Sequence, residues 1–243
     1  MTGAASGIGL AIARTLAAGG ARITLVDLPG DALVDAARDL GARHLAADLA
    51  LREDVTRIVS EAGGVEILVS NAGLQHVSPI DEFPEDAWDR LLAVMLTAPF
   101  LLAKGFLPAM YGAGWGRVIN VASVHGLVAS PYKAAYVAAK HGVVGLTKTI
   151  ALEAAARCPD VTAHAVCPSY VRTPLVEKQI AAQAEAHRIE PEAVVSEVLL
   201  EANAVKRLIE PEEVAEAVLY LCRDAAWTMS GSVLTLDAGW LAH

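Results

Sequence analysis

"TGAASGIG", residues 2–9, is a glycine-rich turn followed at once by an apolar helical stretch, "LAIARTLAAG", residues 10–19. Gly3, Gly7 and Gly9 fall where a chain must turn tightly or come very close to another group. A helix opening near Ile8, just after Ser6 and Gly7, aims its first backbone N–H groups at whatever lies in the turn. Between a buried strand and a helix, such a turn cradles a phosphate. Taken alone, it also fits a tight turn that lets the helix pack closely. Here only Met1 precedes it, so the first strand of the sheet is expected to be missing. In a doubly wound sheet that strand is central. The expectation is a gap between "ITLV", residues 23–26, and "ILVS", residues 67–70, with unpaired backbone groups on both.

The rest of the chain alternates short apolar runs with helical stretches. Strands are predicted at "ARITLVDL" (21–28), "RHLAADL" (43–49), "VEILVSNAG" (65–73), "GRVINVAS" (116–123), "VTAHAVCP" (161–168) and "GSVLTLDAG" (231–239). Helices are predicted at 31–42, with Leu33, Val34, Ala37 and Leu40 on one face, and at 52–63, with Val55, Ile58, Val59 and Ala62. A long helix from about Asp86 to Met110 should kink at Pro99, and another runs from after Pro131 to about Arg157. Residues 173–188 and 191–202 read as exposed helices, and residues 211–225 open with proline at the first helical turn. The alternation defines a single α/β domain, residues 1–243, built on a doubly wound parallel sheet. The helical insert at about 173–204 is placed to act as a substrate lid.

The bulk numbers bound the function. The chain has 243 residues, 54% apolar and 19% charged, which is a globular composition. A net charge of -9 provides no basic stripe for nucleic acid. Cys158, Cys167 and Cys222 are too few and scattered for a disulfide framework or a zinc site, and read as reduced thiols. No signal peptide and no uninterrupted membrane-spanning run are legible, so a cytoplasmic location is expected, with no metal.

Two constellations carry chemistry. Asp27 closes the first complete strand, where an acid accepts from adenosine ribose hydroxyls and repels a 2′-phosphate. With no Arg or Lys inside the glycine turn, this favours NAD over NADP. "YVAAK" places Tyr136 and Lys140 four residues apart on one helical face, and Ser123 ends a strand thirteen residues earlier. A phenol of ordinary pKa, about 10, is a poor base at neutral pH. A neighbouring ammonium is expected to lower it, and the serine hydroxyl can hold a substrate oxygen. The trio suits proton exchange with an alcohol or ketone coupled to hydride transfer.

"TGAASGIG", Asn71-Ala72-Gly73, Ser123 and "YVAAK" together resemble the short-chain dehydrogenase/reductase family, from Thr2 to the C-terminus. The resemblance implies a Rossmann fold, Tyr136 as general acid/base, Lys140 as the residue that tunes Tyr136 and holds the nicotinamide ribose, and Ser123 on the reacting oxygen. It implies an NAD site of Gly3, Ser6, Gly7, Ile8, Gly9, Asp27, Asp48, Leu49, Asn71, Ala72, Gly73, Tyr136, Lys140 and Thr173. "NAGLQHVSPI", "ASVHGLVAS", "KAAYVAAKHGVVGLTK", "VRTPLVEKQI" and "DAGW" resemble a branch of that family, the bacterial D-3-hydroxybutyrate dehydrogenases. That likeness implies a small 3-hydroxy acid substrate. Its carboxylate would be held by Gln75, His125, Lys133 and Gln179, and Trp240 would close the pocket. It also implies a homotetramer, paired through its long central helices.

In an acidic protein the carboxylate must be neutralised locally, and Lys133 lies three residues before Tyr136, nominally on the same helical face. Each residue alone has a plainer reading: Gln75 a loop residue, Lys133 a solvated helix-start lysine, Gln179 a surface side chain. The chain departs from the family pattern at Met95, where an asparagine is usual, at Ser169 and Tyr170 after Pro168, and at His164. Methionine at position 95 is expected to interrupt a water-held proton relay beside Lys140. Two other functions remain open: a 3-oxoacyl reductase using NADPH, and an NAD-binding protein with little turnover.

Overall fold

The computed structural model describes residues 1–174, 176–177, 180, 184, 190 and 193–242. In chain order the elements are α1 (Gly7–Ala18), β1 (Thr24–Asp27), α2 (Asp31–Leu40), β2 (Arg43–Ala46), α3 (Arg52–Ala62), β3 (Ile67–Ser70), α4 (Glu85–Leu92), α5 (Ala98–Ala113), β4 (Gly116–Val121), α6 (Ala134–Arg157), β5 (Val161–Pro168), α7 (Pro211–Leu221) and β6 (Val233–Leu236). All strand pairs are parallel, β1 with β2 and β3-β4-β5-β6 in order.

Alternate strand residues face opposite layers, as a sheet covered on both sides requires. Leu68, Val118 and Ala163 face a layer of α3, α5 and α6 with Ile58, Leu102, Phe106 and Ala154. Val69, Ile119 and Val166 face α1 and α7 with Ile12, Leu16, Val214 and Val218. This is the expected doubly wound sheet in one domain.

The slot between β1 and β3 is partly filled. The N-terminal ammonium donates to the Thr24 carbonyl at 3.0 Å. Val26 N–H donates to Met1 O at 2.8 Å, and Thr2 N–H donates to Val69 O at 3.1 Å. Met1 and Thr2 thus stitch the two sheets together at their C-terminal ends. Behind them lies an apolar cavity of about 30 Å³, lined by Met1, Val65, Leu68, Leu102 and Phe106 among others. The buried ammonium has its pKa lowered to about 6, because burial penalises its charge.

Two sequence expectations are corrected by packing. Val34 is 47% exposed, because α2 turns Leu33, Ala36 and Ala37 to the core instead. The stretch around 193–202 is not an exposed helix: Val194, Leu199 and Leu200 are buried with Ile180 and Leu208 in a small separate core. At Pro99 the helical stretch is interrupted by a wider turn. The proline ring nitrogen has no hydrogen for the Met95 carbonyl, and Ala93–Thr97 forms a π-type turn immediately before it. By length and hydropathy Glu85–Ala113 would suffice to cross a membrane, although Pro99, Lys104 and Pro108 interrupt its apolar run. In the fold it is a core element, with Met95, Ala98, Leu102, Phe106 and Met110 buried.

Candidate active site

The glycine turn owes its shape to backbone contacts that leave no room for side chains. Gly3 and Gly7 have φ of +63° and +52°. A Cβ on Gly3 would lie 2.7 Å from Ala72 Cα, and one on Gly9 would lie 2.0 Å from Gly3 O. Asn71 Nδ2 donates to Thr2 O at 3.2 Å and Gly3 O at 3.0 Å. Thr2 Oγ1 accepts from the Asn71 and Ala72 N–H groups at 3.0 and 3.2 Å. The Asn71–Gly73 turn at the end of β3 thereby clamps the loop. Ser6 is the N-cap of α1 but its side chain makes no capping bond. The first N–H groups of a twelve-residue helix are therefore available to an anion in the cleft.

That cleft, about 410 Å³, opens over the C-terminal ends of the strands. At one end Asp27 accepts from Ala5 N–H through Oδ2 and from Leu28 N–H through Oδ1, both at 2.8 Å. These bonds fix the carboxylate and leave further lone pairs on each oxygen. Asp48 accepts from Ala50 N–H at 3.0 Å and pairs with Arg90 at 3.1 Å. Gly3, Ser6, Gly7, Ile8, Leu49, Asn71, Ala72, Gly73 and Thr173 all line the same cleft. Gly9 does not line it; it is buried beneath the loop against Gly3 and Asn71. The extended cradle fits a dinucleotide: backbone donors for phosphate, a fixed acid for a ribose, and side chains that cannot intrude.

At the cleft's centre, Ser123 follows β4 and opens a short 3₁₀ turn, Val124–Gly126. Its Oγ accepts from His125 N–H at 3.2 Å and donates to Pro168 O at 3.4 Å. Gly126 lets this turn sit on α6, where a Cβ would meet Lys140 O at 2.8 Å. Tyr136 and Lys140 come from the first turns of α6. Lys140 Nζ donates to Val121 O at 2.8 Å and stands 5.6 Å from the Tyr136 ring centroid. Burial lowers the Lys140 pKa to about 8. Burial also raises the Tyr136 pKa, while the Ser123 hydroxyl pulls it back down. The acidification of Tyr136 expected from Lys140 is not what prevails here: loss of water around the phenol sets the direction of its pKa.

The other end of the cleft is built from side chains. His125 Nε2 meets Ser130 Oγ at 2.7 Å, and its Nδ1 lies 3.5 Å from Ser123 Oγ. Burial, reinforced by nearby Lys133, lowers the His125 pKa to about 4, so the ring is neutral at physiological pH. Trp240 meets His125 edge-on at 5.5 Å and stacks on Tyr170 at 6.0 Å. Lys133 is the N-cap of α6, with φ -122° and ψ 34°, so it shares no helical face with Tyr136. Both nevertheless line the cleft, together with Gln75. Gln179 lies outside the described residues. Of the insert at 173–204, Thr173, Pro174 and Val176 line the cleft.

Several residues that line the cleft carry no site role in the sequence motifs, among them Arg90, Val94 and Tyr170. Arg90 and Val94 belong to one helical stretch at a four-residue spacing, and their aim depends on how α4 packs. Tyr170 was legible as a departure from the family pattern, though not as a contact. Met95 is 2% exposed, and its sulfur lies 3.7 Å from where a Cβ on Gly73 would sit. His164 is a core residue that does not line the cleft: Nε2 meets Thr162 Oγ1 at 2.9 Å and Nδ1 meets Met229 O at 3.2 Å.

Residues 1–184 match the short chain dehydrogenase family, and the chain belongs to it. It is an oxidoreductase of a family that binds a nicotinamide cofactor. Over its whole length the chain is 46% identical to the D-beta-hydroxybutyrate dehydrogenase of Rhizobium meliloti (strain 1021), covering 98% of that protein. It is 44% identical to the D-beta-hydroxybutyrate dehydrogenase of Cupriavidus necator, again over the whole chain and 97% of the relative. Among solved structures it is similar to L-sorbose reductase from Gluconobacter frateurii complexed with NADPH and L-sorbose. There the TM-score is 0.93 at 32% identity, covering all of this chain and 95% of the other.

Proposed function

We propose that the protein interconverts D-3-hydroxybutyrate and acetoacetate with NAD. The observation that carries this reading is the convergence of Lys133, His125 and Gln75 with Ser123 and Tyr136 in one cleft. A cation and two neutral polar groups there face a small acid, beside a serine and tyrosine suited to a hydroxyl. Asp27, fixed by two backbone N–H groups, supports NAD: its charge repels a 2′-phosphate.

When bound, the nicotinamide supplies the hydride acceptor for oxidation and the donor for reduction. Ser123 and Tyr136 hold the substrate oxygen between two hydroxyls. In oxidation the Tyr136 phenolate takes the alcohol proton as the C–O bond becomes a carbonyl; in reduction the phenol returns it. The Lys140 ammonium stabilises that phenolate. Lys133 binds the carboxylate by a charge-assisted bond, with His125, Gln75 and Gln179 completing its shell, and Trp240 closes the pocket. The segment at 173–204 serves as a lid. The relative solved with NADPH supports a second reading, an NADP-linked reductase of a larger keto substrate.

One assay separates these readings and a non-catalytic role: reduced-cofactor formation from D-3-hydroxybutyrate, with the L-isomer and NADP as controls. Activity with the D-isomer and NAD is expected, and preference for NADP or no turnover refutes the proposal. We further place the protein in the cytoplasm as a homotetramer, with α6 in an interface. Leu152, 76% exposed on α6, and Phe100, 47% exposed on α5, support such a face. Light scattering at micromolar concentration should give four chains per particle; a monomer refutes it.

A further inference from the structure

Lys133 carries a positive charge that meets no carboxylate within ion-pair distance among the described residues. Its hydrogen-bond partner is the Tyr170 hydroxyl, 3.3 Å from Nζ, and the ammonium stands 5.6 Å from the Tyr170 ring centroid. An ammonium donates only, so the phenol oxygen must be the acceptor. A phenol has one proton and two lone pairs. With a lone pair given to Lys133, the Tyr170 O–H remains free to donate, and it donates to no described residue.

The ring is held from three sides. Its backbone lies beside the Val171–Ile209 bridge, with Ile209 N–H donating to Tyr170 O at 3.0 Å. Its face stacks on Trp240 with the planes 15° apart. Its hydroxyl meets Lys133. A phenol held in this way leaves its O–H available beside Lys133 in the cleft that both residues line, at little entropic cost on binding.

We infer that Tyr170 is an anion-binding residue of the substrate site: it orients the Lys133 ammonium and donates its own O–H to the same carboxylate. This rests on the proposed carboxylate site and deepens it. Tyr170 then favours short carboxylic acids over neutral alcohols and amides, because a neutral oxygen gains less than a carboxylate from the ammonium it positions.

The test is calorimetric binding of butyrate and of its neutral isostere butyramide to the full chain with NAD present. The wild type should bind butyrate more tightly than butyramide. Tyr170→Phe, which keeps the stacking and the cation–π contact, should weaken butyrate about tenfold and butyramide markedly less. On a Lys133→Ala background the same change should cost less, because the two residues act together. Butyrate binding unchanged in Tyr170→Phe overturns the inference, as does an equal loss for butyramide or a wild type that does not distinguish the two ligands. Turnover of D-3-hydroxybutyrate is measured separately. A protein with this binding pattern but no turnover refutes the proposed reaction and upholds the role of Tyr170. Turnover with wild-type butyrate binding in Tyr170→Phe does the reverse.

Discussion

The two ends of the cleft are built from different materials. At the glycine-turn end the surface is mainly backbone: Gly3 and Gly7 at positive φ, the uncapped start of α1, and an Asn71 side chain spent on holding the loop. At the Lys133 end it is side chain against side chain, with His125, Tyr170, Trp240 and Lys133 each positioned by another. A backbone-built end tolerates change only where no Cβ is needed. A side-chain-built end can be retuned one residue at a time, and its affinity is divisible among them. Under the proposed function, the difference suits a constant cofactor at the first end and a variable substrate at the second.

Substitutions can break that contrast, and the largest effect is expected between the two ends. Tyr136→Phe should lower kcat roughly 10²–10⁴-fold while leaving NAD binding intact, as read by steady-state kinetics and calorimetry. A variant keeping more than about a tenth of its activity would remove Tyr136 from the acid–base role. Because burial raises the Tyr136 pKa, the phenolate is scarce at neutral pH. Alcohol oxidation should therefore rise as pH increases into the alkaline range, and ketone reduction should fall.

At the backbone end, Gly9→Ala should weaken NAD binding about a hundredfold and lower Tm, since overpacking costs ~1–3 kcal/mol or more and Gly3 O cannot retreat without unmaking the turn. Binding measured by calorimetry at wild-type strength would mean that the loop has slack not visible in its contacts. At the side-chain end, Lys133→Ala should raise KM for hydroxybutyrate about ten- to a hundredfold, the worth of a ~1.5–3 kcal/mol charged hydrogen bond, with kcat little changed. An unaltered KM would place the carboxylate elsewhere. Asp27→Ala is the mildest: the NAD-to-NADP ratio of kcat/KM should fall about tenfold as like-charge repulsion disappears. An unchanged ratio would assign cofactor choice to other residues.

Much of the glycine-turn end of the cleft was legible in the sequence, because Gly3 and Gly7 answer a local backbone demand for positive φ. Gly9 shows the limit of that legibility. The motif contains it, yet it serves packing beneath the loop rather than the cleft wall. Sequence placed Lys133 on a helical face with Tyr136, but the helix begins one residue later and leaves Lys133 as its cap. A one-residue boundary shift changes the direction of a side chain, and boundaries are the least local feature of a helix. The acidity of Tyr136 went the same way, since spacing reveals a neighbouring charge and only tertiary burial sets the opposing desolvation.

The sequence by itself determined the alternation of strands and helices, the parallel sheet, the glycine turn and the Ser123, Tyr136 and Lys140 trio. These follow from periodicity and spacing within a few turns of chain. Tertiary structure alone decided that Met1 and Thr2 stitch β1 to β3, that Arg90 pairs with Asp48, and that Tyr170, thirty-seven residues from Lys133, becomes its hydrogen-bond partner. Those contacts join distant segments, and no local propensity encodes them. They exist because the helical layers and the sheet, once packed, bring these groups within reach of one another.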